Sequence, residues 1–198
     1  MEPKYLPADL LIRKIDEPNR SALMKLMSDN LQLFSAARGS SNNHQAWAGG
    51  YLDHVKETMN TAAVLYEQLN GIRPLPFSLS DALLVMFLHD VEKPWKYELK
   101  SDGALAIVES LTAKDAQHEF RRKKFDEYGI TFTREQANAL RYVEGEGKDY
   151  SPSRRAMGPL AAFCHICDMA SARMWFDYPM ENCDPWAGAE RTLTDDKQ

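Results

Sequence analysis

The sequence predicts an all-α protein, folded as a helical bundle with room for one small β-hairpin. Three observations predict this class. Apolar residues recur at helical spacing over several long segments, helix-capping patterns precede some of them, and one segment, 82–88, is apolar on every side. A helix of that last kind belongs in the centre of a bundle, because neighbouring helices must cover all of its faces.

The N-terminal part of the chain predicts helical segments over 10–34 and 46–69. The first is interrupted at Pro18, where one helix ends and another begins. In the second, the apolar residues form a single stripe, which is typical of a helix that covers a core. The pair Asn70 and Gly71 then favours the end of that helix.

The central helix is predicted to start at Ser80 and Asp81 and to continue through the apolar segment 82–88. At its end stand two adjacent polar residues, His89 and Asp90. The helix that is most deeply buried therefore ends in the two side chains that are most costly to bury.

A small β-hairpin is predicted directly after this helix. Residues 95–99 alternate between polar and apolar, 101–103 favour a turn, and 104–108 are short and apolar. Such a hairpin would be a minor addition to the bundle.

The remaining helices are predicted from capping signals. One helix covers 112–128 and is closed by a glycine, as helices often are. Thr133 and Gln136 have the spacing of a capping box, so the next helix starts there and ends near Gly145. A last helix is expected over 159–176, because proline suits the first turn.

The length of 198 residues allows one domain with a core of its own, which we assign to 1–176. Residues 177–198 are rich in Pro, Asp and Gly, and an irregular tail is expected there. No apolar run approaches the roughly 20 residues of a transmembrane helix. The N-terminus lacks the pattern of a secretory signal, so the expected location is cytoplasmic.

Charge and cysteine usage restrict the possible partners. Lys and Arg number 24 against 29 Asp and Glu, and the net charge of -5 provides no general attraction to nucleic acid. Cys164 and Cys167 have the two-residue gap of a zinc or redox pair, but the sequence holds no second pair to complete a structural zinc site. We therefore expect these two thiols to pack in the core.

The residues best suited to chemistry are His89 and Asp90. Imidazole and carboxylate groups together suit a divalent ion such as zinc, manganese, iron or magnesium. Asp168 also stands among apolar residues, where an unpaired carboxylate would be costly. The alternative for the His-Asp pair is an exposed helix end at which Asp90 is simply hydrated.

Three segments carry a resemblance to a known family. They are 49–54 (GGYLDH), 87–93 (FLHDVEK) and 167–170 (CDMA). In this order they resemble the HD-domain superfamily of metal-dependent phosphohydrolases, over about 44–173 of the chain. The resemblance implies an HD-type helical bundle.

By this resemblance, His54, His89, Asp90 and Asp168 are the ligands of one metal ion. For His54, the alternative is a histidine on the polar face of its helix. For Asp168, the alternative is a core carboxylate that pairs with a backbone N–H or with an arginine. The ion is one of Mn, Fe, Co, Ni, Zn or Mg. The resemblance also implies that Asp90 orients the attacking nucleophile and that Lys93 is a catalytic, phosphate-binding residue.

The roles of the other candidate site residues have alternative interpretations. Arg154 and Arg155 are candidates for phosphate contact, and a surface ion pair is an equal alternative for either one. His118 lies where some members carry the first ligand of a second metal. The chain departs from the family at 141–146 (RYVEGE), where Glu144 would have to replace a histidine ligand; a charged helix end is the alternative.

The two other histidines are assigned more loosely. His44 precedes the first candidate ligand by ten residues and is a candidate for lining the cleft. His165 shares a helical face with Asp168, but a packed core histidine is the preferred interpretation.

The resemblance implies a phosphohydrolase that cleaves a phosphoester of a nucleotide or a related small phosphorylated substrate. A phosphodiesterase or an enzyme similar to 3'-5' exoribonucleases is the first alternative. A non-catalytic domain that senses nucleotides is the second. No membrane partner and no strong binding to nucleic acid are expected, and a homo-oligomer is left open.

Overall fold

The computed structural model describes residues 3–99 and 105–192, and it is mainly helical. The mainly helical content confirms the all-α prediction. The α-helices are α1 (Ala8–Ile12), α2 (Asn19–Asp29), α3 (Leu31–Ala36), α4 (Gly50–Ile72), α5 (Leu79–Leu88), α6 (Lys93–Lys96), α7 (Lys114–Tyr128), α8 (Arg134–Tyr142) and α9 (Pro159–Met169). None of the helices in the described ranges is long and apolar enough to cross a membrane.

Helix α5 lies at the centre of the bundle, as predicted, and packs against α4, α8 and α9. Its residues 82–88 are all buried. The helix starts earlier than predicted, because the Ser78 hydroxyl accepts a hydrogen bond from the Asp81 backbone N–H and the Asp81 carboxylate accepts one from the Ser78 backbone N–H. This capping box fixes the first turn of α5. At the other end of the helix, His89 is 2% exposed.

Helix α4 starts directly after Gly49, which has a φ of 86° and lies in the left-handed region. The first half of α4 is buried almost all round. The helix was predicted to end near Asn70, but it continues to Ile72. It ends where Arg73 becomes extended, since a residue before proline avoids the helical conformation.

The predicted β-hairpin is confirmed. Strands β1 (Tyr97–Leu99) and β2 (Leu105–Ile107) pair in antiparallel register. The predicted turn at 101–103 lies outside the described residues. One short 3-10 helix, Glu109–Leu111, precedes α7, and another, Gly147–Asp149, follows α8.

The last helix is shorter than predicted. The α-helical part of α9 ends at Met169, and the chain continues as a π-helical turn over Ala170–Met174. From residue 177 to residue 192 the chain is neither helix nor strand. This segment nevertheless lies on the bundle, where the Thr192 backbone N–H donates to the buried Asp53 carboxylate over 2.8 Å.

Candidate metal centre

The four side chains that were expected to bind one metal ion converge in the structure. His54 belongs to α4, His89 and Asp90 follow the last residue of α5, and Asp168 belongs to α9. The Nε2 atoms of His54 and His89 are 3.1 Å apart. Asp168 Oδ1 lies 3.3 Å from His54 Nε2, and Asp90 Oδ2 lies 3.3 Å from His89 Nε2.

The cluster is buried but not sealed. The side chains of His54 and His89 are 0% and 1% exposed, whereas that of Asp168 is 16% exposed. The Lys93 side chain, whose ammonium group bonds to Asp90, is 14% exposed. Asp168 and Lys93 are therefore the most exposed side chains of the cluster and its ion-pair partner.

Each cluster histidine has a second partner at Nδ1, and for His89 this partner determines which nitrogen carries the proton. His89 Nδ1 lies 2.8 Å from the Met86 carbonyl oxygen, which can only accept, so Nδ1 is the protonated nitrogen. His54 Nδ1 lies 3.0 Å from Ser171 Oγ, which already accepts from the Gln45 side-chain amide over 3.4 Å. If His54 Nδ1 donates to Ser171 in the same way, both Nε2 atoms of the neutral rings direct lone pairs towards each other.

Two lone pairs at 3.1 Å repel unless positive charge lies between them. The pKa values agree with this requirement. Burial lowers the pKa of His89, but the carboxylates of Asp90 and Asp168 outweigh that effect and raise it to about 10. Burial raises the pKa of Asp168, but hydrogen bonds to the two histidines reverse this and hold it well below its usual range. The cluster binds positive charge, either as protons or as a metal ion that displaces them.

The donor atoms fit a divalent metal ion. Among the described residues, His54, His89 and Asp168 offer one ligand atom each, all within 4.8 Å of one another. Ligands about 2.0–2.2 Å from one shared ion lie about 3 to 3.5 Å from each other. The measured separations of 3.1, 3.3 and 3.5 Å fall in this range. Two imidazoles with carboxylates suit zinc, manganese, iron, cobalt or nickel.

Lys93 and Asp90 form a buried ion pair at the edge of the cluster. The Lys93 ammonium bonds to Asp90 Oδ2. Burial lowers the pKa of Lys93, but Asp90 raises it above its usual range, so the side chain is charged. An ammonium group has three N–H donors, and those not used by Asp90 can contact an anionic ligand.

The loop before α4 covers the cluster with His44. The His44 ring centroid lies 4.6 Å from that of His54, so His44 packs beside the cluster; that it lines the cleft stays a prediction. Burial, His54 and Lys93 together lower the pKa of His44 to about 4, so its ring is neutral. The loop is fixed by Gln45, whose side-chain amide donates to the Tyr178 carbonyl oxygen over 2.9 Å.

Sequence reasoning did not find Gln45, Ser171 or Arg121. Ser171 follows Asp168 by three residues, and this spacing could have indicated a shared helical face. Arg121 donates to the His89 carbonyl oxygen over 2.8 Å, and its Nε lies 3.6 Å from the buried Glu92 carboxylate. No local signal in the sequence distinguishes this arginine from its neighbours in α7.

His118 and Glu144 line one cavity of about 920 Å³, together with Arg121. Both are exposed, and Glu144 lies 3.9 Å from the Lys114 ammonium. Burial and Arg121 lower the pKa of His118, so it is neutral and able to act as a ligand. Lys93 is not among the residues that line this cavity. The second metal site stays a prediction.

The remaining candidates lie elsewhere. Arg154 and Arg155 are exposed and line a separate cavity of about 640 Å³, to which none of the four cluster residues contributes. His165 Nδ1 lies 2.6 Å from the Val143 carbonyl oxygen, as expected for a packed structural histidine. Cys164 and Cys167 are buried, as predicted.

Comparisons of the chain with protein-family models, with curated proteins and with solved structures found no match. The resemblance to the HD-domain superfamily therefore stays a prediction that depends on the residues and their geometry.

Proposed function

We propose that this protein is a metal-dependent phosphohydrolase of the HD type, which cleaves a phosphoester of a nucleotide or a related small phosphorylated substrate. The observation that carries the proposal is the 3.1 Å approach of the Nε2 atoms of His54 and His89, flanked by Asp168. Protons alone would neutralise this cluster, but the ring tautomers and the ligand spacing favour a metal ion.

A bound divalent ion would supply Lewis acidity towards a phosphoryl oxygen and lower the pKa of a water molecule from 15.7 to about 7. The protein residues have separate tasks. Lys93 would stabilise the negative charge that develops on the transferred phosphoryl group. Asp90 would orient the attacking water. His44 and the buried side chains around His54 would limit the access of other water molecules.

Two features support a small anionic substrate. Among the described residues, five cationic and four acidic side chains line the cavity that contains His118, and one of the cations, Arg121, contacts the backbone of His89. The net charge of -5 does not favour a long polyanion. A nucleotide with one to three phosphates would match both features.

The decisive experiment measures metal content and turnover in the same preparations. The wild-type chain and His89→Gln are expressed in metal-supplemented medium, and the bound metal is measured. Hydrolysis of nucleoside phosphates and cyclic dinucleotides is then measured with added Mn, Co, Ni or Mg. The control is His165→Gln, which alters a histidine outside the cluster.

We expect wild type and His165→Gln to retain metal and release phosphate, while His89→Gln loses both. A folded wild-type chain that binds no metal under any of these conditions would overturn the proposal. Cleavage of diesters alone would instead support the phosphodiesterase alternative. Nucleotide binding with metal but without turnover would support the sensor.

A further inference from the structure

A second cavity of about 490 Å³ lies between α4 and the C-terminal segment, away from the metal cluster. No residue of the cluster lines it. Its volume is in the range of sites for small molecules. The residues that line it are Pro3, Glu57, Val64, Trp175, Tyr178, Asp184, Pro185, Trp186 and Ala187.

The charges in this cavity are all negative. It is lined by the carboxyl groups of Glu57 and Asp184, and no lysine or arginine is among the lining residues. Glu57 is only 3% exposed. Burial raises the pKa of its carboxyl group to about 7; a hydrogen bond with Tyr5 opposes this rise, and Asp184 and Asp53 add to it. A buried carboxyl group in such surroundings lacks a cation.

Aromatic rings form the rest of the wall. The ring centroids of Trp175 and Trp186 are 6.2 Å apart at an interplanar angle of 62°. Trp186 also packs edge to face on Tyr5, with centroids 5.1 Å apart, and its indole N–H donates to the Pro3 carbonyl oxygen over 2.9 Å. These contacts hold the rings in place before any ligand binds.

The acidic side of the cavity is also fixed. The Asp184 carboxylate accepts hydrogen bonds from the backbone N–H groups of Met180 and Trp186, over 2.7 and 2.8 Å. It therefore keeps one position relative to the Trp186 ring. Glu57 belongs to the rigid, buried half of α4.

We propose that this cavity is a binding site for an organic ammonium cation about the size of choline. Aromatic faces attract such cations through the negative charge above the ring, and the two carboxyl groups add direct electrostatic attraction. A divalent metal ion fits less well, because aromatic rings provide it with no ligand atoms. A neutral apolar ligand would leave the negative charge of Asp184, and that of Glu57 when it is ionised, without a cation.

Two ligands of the same shape test the proposal. Choline and 3,3-dimethyl-1-butanol differ by the charge of one atom, and each is titrated into the full-length protein at constant ionic strength. Binding is followed by calorimetry and by tryptophan fluorescence. The variants are Glu57→Gln and, as a matched control on the same helix, Glu67→Gln, in which an exposed carboxylate is altered.

We expect choline to bind wild type with a Kd of about 1 mM or lower, and the alcohol to bind at least tenfold more weakly. Glu57→Gln should weaken choline binding at least tenfold, whereas Glu67→Gln should leave it unchanged. Equal binding of both ligands, or no choline binding to wild type, would overturn the proposal. Metal content is measured in parallel and should not change, which separates this site from the metal centre.

Discussion

At the scale of single residues, the candidate centre depends on partners that contact no substrate. The Met86 carbonyl oxygen determines which nitrogen of His89 carries the proton, and the Ser171 hydroxyl is the partner of His54 Nδ1. With a proton on each Nδ1, both Nε2 atoms present free lone pairs to the cluster.

Ser171→Ala should lower metal affinity about 10- to 100-fold, because the His54 ring loses the partner that holds its tautomer. Competition with a chelating dye measures this affinity. Ser153→Ala, in an exposed loop, is the control and should behave as wild type. Unchanged affinity in Ser171→Ala would mean that the serine does not orient the ring.

His118→Ala should reduce turnover at least about tenfold while one metal ion per chain is still bound. The reason is that His118 lines the same cavity as Arg121, which contacts the backbone of His89. Metal per chain is titrated alongside phosphate release, and Lys123→Ala is the control on the same helix. Normal turnover in His118→Ala would make this histidine a surface residue and the enzyme a one-metal hydrolase.

At the scale of elements, local signals in the sequence predicted most of the fold. The capping box at Thr133 and the left-handed Gly129 after α7 are formed as expected. Both depend on residues within one helical turn. The extension of α4 past Asn70, the π-helical turn after Met169 and the loop around Gln45 were not predicted, because distant contacts or the following residues determine them.

The two ends of α4 offer a matched pair of glycine substitutions. Gly49→Ala should lower the free energy of unfolding by about 1 to 3 kcal/mol, because Gly49 has a φ of 86° and an added Cβ would lie 2.8 Å from the Thr192 carbonyl oxygen. Gly71→Ala should instead raise it by about 0.5 to 1 kcal/mol, since Gly71 is helical and an added Cβ meets nothing within 4 Å.

Urea unfolding of the two glycine variants measures both changes. If Gly49→Ala proved as stable as wild type, the close approach of the C-terminal segment to the start of α4 would be wrong.

At the scale of the whole molecule, stability depends on the charges buried between the bundle and its C-terminal segment. The pKa of Glu57 is about 7 in the folded protein, against 4.5 for the free group. A raised carboxyl pKa means that the fold favours the protonated form. Its contribution to stability is therefore complete below pH 4.5 and is lost as the pH rises through 7.

Glu57→Gln removes the loss of stability that accompanies ionisation of Glu57. The variant should gain stability over wild type at pH 8, and the gain should be about 2 to 3 kcal/mol larger than at pH 5. Urea unfolding at both pH values measures the difference, with Glu67→Gln as the control. An equal difference at pH 5 and pH 8 would show that the Glu57 carboxyl is not buried as described.

The buried Asp53 carboxylate joins three separate parts of the chain. It accepts from the Trp47 indole N–H over 2.8 Å, from the Lys56 ammonium over 2.8 Å and from the Thr192 hydroxyl over 2.7 Å. Asp53 immediately precedes the candidate ligand His54. Thr192 follows Asp53 by 139 positions. During synthesis, the surroundings of this first ligand therefore stay incomplete until Thr192 has emerged from the ribosome. The metal centre should therefore mature only after all four candidate ligands have been synthesised and the chain has reached Thr192.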